Sequence, residues 1–119
     1  MKKPIPTDCP FCDTSKIKSE IHYLANDIIA FTPLNPVTPG HLLVVPIRHV
    51  EDFTAEPTMT AVVMEAAAML ADRLEGDFNL ITSKGEAATQ SVFHLHVHLV
   101  PRKEGDGLSL PWTNQKEAA

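Results

Sequence analysis

The 119-residue chain is predicted to be a single α+β domain, an antiparallel five-stranded meander sheet carrying one long helix. Three observations lead there. Five short apolar segments are separated by turn signals, which is the pattern of strands. One segment alone, Pro57 to Glu75, switches to a helical period. Strands and helices do not alternate along the chain, so an α+β fold with a mainly antiparallel sheet is expected.

Residues 1–20 open the domain as an irregular segment rich in Pro, Lys, Asp and Thr. Ile21 to Ala25 and Asp27 to Phe31 follow as two strands, with Asn26-Asp27 supplying a tight turn between them. Pro33-Leu34-Asn35-Pro36-Val37-Thr38-Pro39-Gly40 holds three prolines and a glycine, which makes a stiff loop. His41 to Pro46 then reads as a buried strand. In the helix, Met59, Val62, Val63, Ala66, Leu70 and Leu74 form the apolar stripe, with Thr54 or Thr58 as the cap and Gly76 as the left-handed stop. Phe78 to Thr82 and Val92 to Val100 complete the strands. Residues 101–119 form a tail of Gly, Pro and charge. Its Leu108, Leu110 and Trp112 either anchor on a partner subunit or fold back on the chain's own core.

Composition narrows the function. The apolar fraction of 44% and charged fraction of 21% are those of an ordinary globular protein. A net charge of −5 argues against nucleic acid or an anionic membrane as partner, because both demand a basic footprint. No apolar run has transmembrane length, and the first residues lack the apolar core of a secretory signal, so the expected location is the cytoplasm. In that reducing compartment Cys9-Pro10-Phe11-Cys12 reads as half of a metal site rather than as a structural disulfide.

The chemistry concentrates in His94-Leu95-His96-Val97-His98-Leu99-Val100, where half of the six histidines recur with period two. On a strand this spacing puts three imidazoles on one face, roughly 6.6 Å apart, with Leu95, Val97 and Leu99 turned to the core. His22, alone on an exposed strand, reads as a merely tolerated polar residue. A neutral imidazole is a competent nucleophile, and phosphorus is its natural electrophile, because the phosphoramidate it forms is itself open to hydrolysis. Neighbouring imidazoles donate to, or accept from, the phosphoryl oxygens and the leaving group. Gln90 and Ser91, just upstream, add an amide and a hydroxyl suited to phosphate, and His41 opens its own strand after the Pro39-Gly40 turn.

These residues together resemble the histidine triad superfamily. The likeness spans the triad with its apolar followers, Gln90-Ser91-Val92 before it, and the strand Gly40-His41-Leu42-Leu43-Val44-Val45-Pro46, in the family's order from about Cys9 to Arg102. The resemblance implies a nucleotide-phosphate hydrolase or nucleotidyl transferase that works as a homodimer on a nucleoside phosphate. It makes His96 the nucleophile at the α-phosphate, and it places His98 and His41 around the phosphate and leaving group. Gln90 and Ser91 match the phosphate-contacting pair, and Ser83 stands where many relatives carry an asparagine.

Two departures bear on specificity. Pro33 occupies the position where many members carry an acidic residue for the ribose hydroxyls, which leaves ribose recognition to Asn35 or the backbone. The stretch Val100-Pro101-Arg102-Lys103-Glu104-Gly105-Asp106 looks like the dinucleoside-polyphosphate hydrolase branch, whereas Cys9-x-x-Cys12 looks like the nucleoside phosphoramidase branch.

Relatives with this cysteine pair close the metal site with the positions that are His49 and His94 here. The resemblance thus implies a Cys2His2 zinc site of Cys9, Cys12, His49 and His94, structural because a closed four-ligand zinc has no open position. Two other readings compete with the enzyme: a nucleotide-binding or scaffold protein with little turnover, and a metalloenzyme that uses all three triad histidines as ligands.

Overall fold

The computed structural model describes residues 8–113. The first residues and the end of the tail considered above lie outside that range. Five strands form one sheet: β1 Ile21–Tyr23, β2 Ile28–Phe31, β3 Leu42–Pro46, β4 Asp77–Ile81 and β5 Val97–Arg102, with helix α1 over Pro57–Leu74. Every neighbouring pair is antiparallel, and the order is β1-β2-β3-β5-β4. The first three strands are a meander. After them β5 inserts between β3 and β4, so β3 and β4 run parallel and α1 makes the crossover that parallel strands need.

The turn between β1 and β2 follows from its residues. Asn26 and Asp27 sit at φ 62° and 58°, the left-handed region that short polar side chains tolerate, and such turns match the twist of an antiparallel pair. Both strands are nonetheless shorter than the apolar runs that announced them. The last strand differs more: it begins at Val97, and residues 92–96 are an irregular approach to it. His94 and His96 therefore precede the ladder, and only His98 lies within it.

Helix α1 starts at Pro57, where a missing N–H costs nothing, with Glu56 as N-cap and no side-chain cap. Neither threonine caps it. The Thr54 hydroxyl donates to Asp52 Oδ1, and Thr58 is exposed. At the other end the positive φ is shared by Glu75 (58°) and Gly76 (112°). The apolar stripe centres on Val63 and Ala67, with Met59, Val62, Met64, Ala66 and Leu70 at its margins, while Leu74 is exposed.

The sheet buries both of its faces, which is why β2 and β3 are unbroken apolar runs rather than alternating ones. Ile28, Ala30, Val44 and Val97 meet Val63 and Ala67 of α1, together with Val50 and Leu95. On the opposite face Ile29, Phe31, Leu43 and Val45 pack against Phe11 and Ile17 of the N-terminal segment. Trp112 is 55% exposed, so it does not fold back on the core. Among the described residues no helix is long and apolar enough to cross a membrane.

Candidate active site and metal centre

The site lies on the sheet face away from α1, where β3 and β5 adjoin. His98 pairs in register with Leu43, and His41 stands immediately before β3. Gly40 makes that placement possible. Its φ is +88°, and a Cβ there would lie 3.1 Å from Cγ of Pro101, so an L side chain is both strained and crowded. The prolines of the preceding loop then limit how far His41 can move.

Backbone groups determine which nitrogen of each imidazole holds the proton. The Val37 amide donates to Nδ1 of His41 at 3.1 Å, leaving the proton of the neutral ring on Nε2. That Nε2–H donates to Nδ1 of His98, 3.0 Å away, so neutral His98 keeps its own proton on Nε2. His96 is set the other way: its Nδ1–H donates to the His94 carbonyl at 2.8 Å, which bares Nε2. The ring centroids of His96 and His98 are 5.2 Å apart. A bare nitrogen and an N–H thus stand side by side on one face.

Burial keeps these rings neutral. It lowers the pKa of His41 and of His96, the latter against the pull of its hydrogen bond to the His94 carbonyl. His98 is pushed down to about 4, chiefly by burial and then by the neighbouring His96 and His41.

A cleft of about 370 Å³ opens beside the pair. Asn35, His41, Ser91, His96 and His98 line it, over an apolar floor that includes Phe31 and Leu43. Pro33 also lines it, as do Lys16 and Lys18, and among the described residues no carboxylate does. Two expected residues are absent from its walls. Gln90 is buried with its amide committed elsewhere: Oε1 accepts from the Gly85 amide at 2.8 Å, and Nε2 donates to the carbonyls of Glu51 and Val92 at 2.9 and 3.2 Å. It staples the 85–92 loop. Ser83 is half-buried after β4, outside the cleft.

Sequence reasoning missed two supports. Phe11, carried into place between the two cysteines, presents edge contacts to His94 and His96 at 5.8 and 5.4 Å. The Thr82 hydroxyl donates to the His96 carbonyl at 2.8 Å. Phe11 was signalled only by its position inside the cysteine pair, and Thr82 by nothing local.

Behind Phe11, Cys9, Cys12, His49 and His94 bring their ligand atoms within 4.8 Å of one another. Nε2–H of His94 donates to the Pro46 carbonyl at 2.7 Å, which frees Nδ1 toward the sulfurs. That Nδ1 lies 3.5 Å from Cys9 Sγ and 3.4 Å from Cys12 Sγ, and Nδ1 of His49 lies 3.1 Å from Cys12 Sγ. A tetrahedral ion with bonds of about 2.3 Å to sulfur and 2.0 Å to nitrogen has S···N edges of about 3.5 Å, so the four residues are arranged for a metal. Without one, burial and then Cys9 push the Cys12 thiol up to about 12, a cost that a divalent cation reverses. Two thiolates with two imidazoles suit zinc among the common ions.

The HIT domain family model matches residues 14–105. The chain belongs to the HIT family. A HIT family hydrolase from Clostridium thermocellum superposes with a TM-score of 0.73 at 30% identity, covering 89% of this chain and 99% of that one. A Zn-bound histidine triad family protein from Mycobacterium smegmatis gives a TM-score of 0.70 at 33% identity, with 87% and 81% covered. Adenylylsulfatase HINT3 of Arabidopsis thaliana is 30% identical over 112 residues, which span 87% of this chain and 57% of that relative. This HIT domain shares its five-stranded antiparallel sheet and single long helix with those structures.

Proposed function

We propose that the chain is a hydrolase or nucleotidyl transferase that cleaves a nucleoside phosphate at its α-phosphorus through a nucleotidyl-histidine intermediate on His96. The supporting observation is the relay of tautomers: Val37 and His41 orient His98 as a donor, while the His94 carbonyl orients His96 as a nucleophile. Nε2 of His96 attacks phosphorus as the bond to the leaving group breaks, and the leaving atom takes the Nε2 proton of His98. Water then attacks the phosphoramidate, returning a proton to His98 and releasing the nucleoside monophosphate. Ser91 contacts a phosphoryl oxygen, and Asn35 serves the ribose from the cleft wall where Pro33 replaces an acid.

Cys9, Cys12, His49 and His94 hold a structural zinc. When bound, the ion supplies a closed four-ligand staple between the N-terminal segment and the sheet, with no role in the proton transfers. Its thiolate ligands suit the reducing cytoplasm, and the whole chain acts as one domain. The working unit is a homodimer joined along β4, an edge strand on which Leu80 and Ile81 remain 38% exposed.

The test is AMP release from adenosine 5′-phosphoramidate and from a diadenosine polyphosphate, for wild type and His96→Ala. Release that disappears in the variant supports the covalent mechanism. Bound AMP without turnover of either substrate overturns it in favour of a nucleotide-binding protein.

A further inference from the structure

The chain holds 15 acidic and 10 basic side chains, yet the charged groups that line its nucleotide cleft are two lysines, Lys16 and Lys18. Their backbone is fixed on both sides. The Lys16 and Ile17 amides donate to the carbonyls of Asp13 and Thr14 at 3.0 and 3.1 Å, and the Ser19 hydroxyl donates to the Thr32 carbonyl at 2.8 Å. Between the lysines, Ile17 packs against the apolar cluster that contains Phe31 and Leu43. The pair is thus carried on a short segment pinned beside the end of β2, with both lysines exposed.

Neither lysine is spent on a carboxylate. Among the described residues Arg48 and Arg102 are each held 2.8 Å from an acid, and no ion pair includes Lys16 or Lys18. Asp13 feels the charge of Lys16, but its Oδ1 is taken by the amide and hydroxyl of Ser15, at 3.0 and 2.6 Å. Two cations on one wall of a cleft, with no acid among its described lining residues, make a place for an anion.

Sheet register separates this anion from the α-phosphate. His98 pairs with Leu43, and Leu43 with Phe31, so the end of β2 stands two strand spacings, roughly 10 Å, from His98. The α-phosphate has His41, Ser91, His96 and His98 around it, whereas Thr32, Pro33 and Asn35 line the wall beside the lysines, the one assigned above to the ribose. We infer that this wall binds a second phosphate carried on the ribose, at its 2′ or 3′ oxygen, the substrate class being nucleoside 5′-phosphoryl compounds with a phosphorylated ribose. The inference rests on the nucleotide reading proposed above. An unmodified ribose is neutral and gives two ammonium groups nothing to neutralise. A phosphate monoester brings about two negative charges and three acceptor oxygens, and Pro33 offers no carboxylate to repel it.

Calorimetry with the full chain tests it, using AMP, ADP, adenosine 2′,5′-bisphosphate and adenosine 3′,5′-bisphosphate. ADP carries its added phosphate on the 5′ side and so controls for charge alone. One bisphosphate is expected to bind about tenfold tighter than AMP and ADP, the effect of two partly screened ion pairs, and the preference should shrink as salt rises. Lys16→Gln combined with Lys18→Gln should bring that bisphosphate down to the AMP level, and Lys18→Glu should make it bind more weakly than AMP. A preference under about threefold for both bisphosphates, ADP binding at least as tightly as the better of them, or a preference that survives the double glutamine variant overturns the subsite. If AMP binds in that case, the nucleotide cleft stands and only the ribose-phosphate subsite falls. A bisphosphate preference in a chain that turns over neither adenosine 5′-phosphoramidate nor its ribose-phosphorylated counterpart leaves the subsite standing and removes the covalent mechanism.

Discussion

Nε2 of His41 lies 3.0 Å from Nδ1 of His98, and the Val37 amide on the far side of His41 dictates that the proton runs from His41 to His98. A loop amide thereby sets the tautomer of a ring in the next strand. His41→Ala should lower kcat about ten- to a hundredfold with a smaller change in KM, as loss of an orienting partner usually does. Steady-state kinetics on an adenosine phosphoramidate reads the split; an unchanged kcat would show that His98 needs no partner.

His96→Ala should remove about a thousandfold or more of kcat, because its Nε2 is the atom to which the proposed mechanism assigns the covalent bond. Quenched single-turnover reactions analysed by intact mass should show the nucleotidyl adduct in wild type and none in the variant. An adduct that persists would move the nucleophile elsewhere.

Gly40→Ala should destabilise the fold by about 1–2 kcal/mol and depress activity, since it forces a side chain into a left-handed position against Pro101. Urea unfolding and kinetics on the same preparation test both effects.

Stability should fall with acid in a window that the buried histidines define. His98 and His41 have folded-state pKa values below the ordinary 6.5, near 4 for His98, through burial. Between those values the unfolded chain binds protons that the folded chain excludes, so their contribution is complete above about pH 6.5 and is lost as pH falls toward 4. Urea midpoints at pH 7.5, 6 and 5 should decline in step, and His98→Asn should flatten the decline.

Chelation, or Cys9→Ser, should release about one zinc per chain and lower the melting temperature. Where free zinc exceeds its Kd a hundredfold, the lost linkage is about 2.7 kcal/mol. Metal analysis with calorimetry checks it; activity that returns with zinc while the unfolding midpoint stays constant would contradict a structural role.

Much of the molecule was legible before any coordinates, because the relevant signals are local. The period of Pro57 to Glu75, the Asn26-Asp27 turn and the stiff loop ahead of His41 express backbone preferences of the residues themselves. The alternation from His94 to Val100 likewise announced a row of imidazoles, even though its first two members turned out to precede the strand.

What only the tertiary structure decided depends on groups far apart in sequence. The insertion of β5 between β3 and β4 and the retreat of Gln90 into the 85–92 loop both follow from long-range register and from which carbonyls need donors. The proton positions on His41, His96 and His98 belong to the same class. An imidazole is symmetric enough in sequence to be nucleophile, donor or ligand, and its role is chosen by the backbone group that meets its other nitrogen.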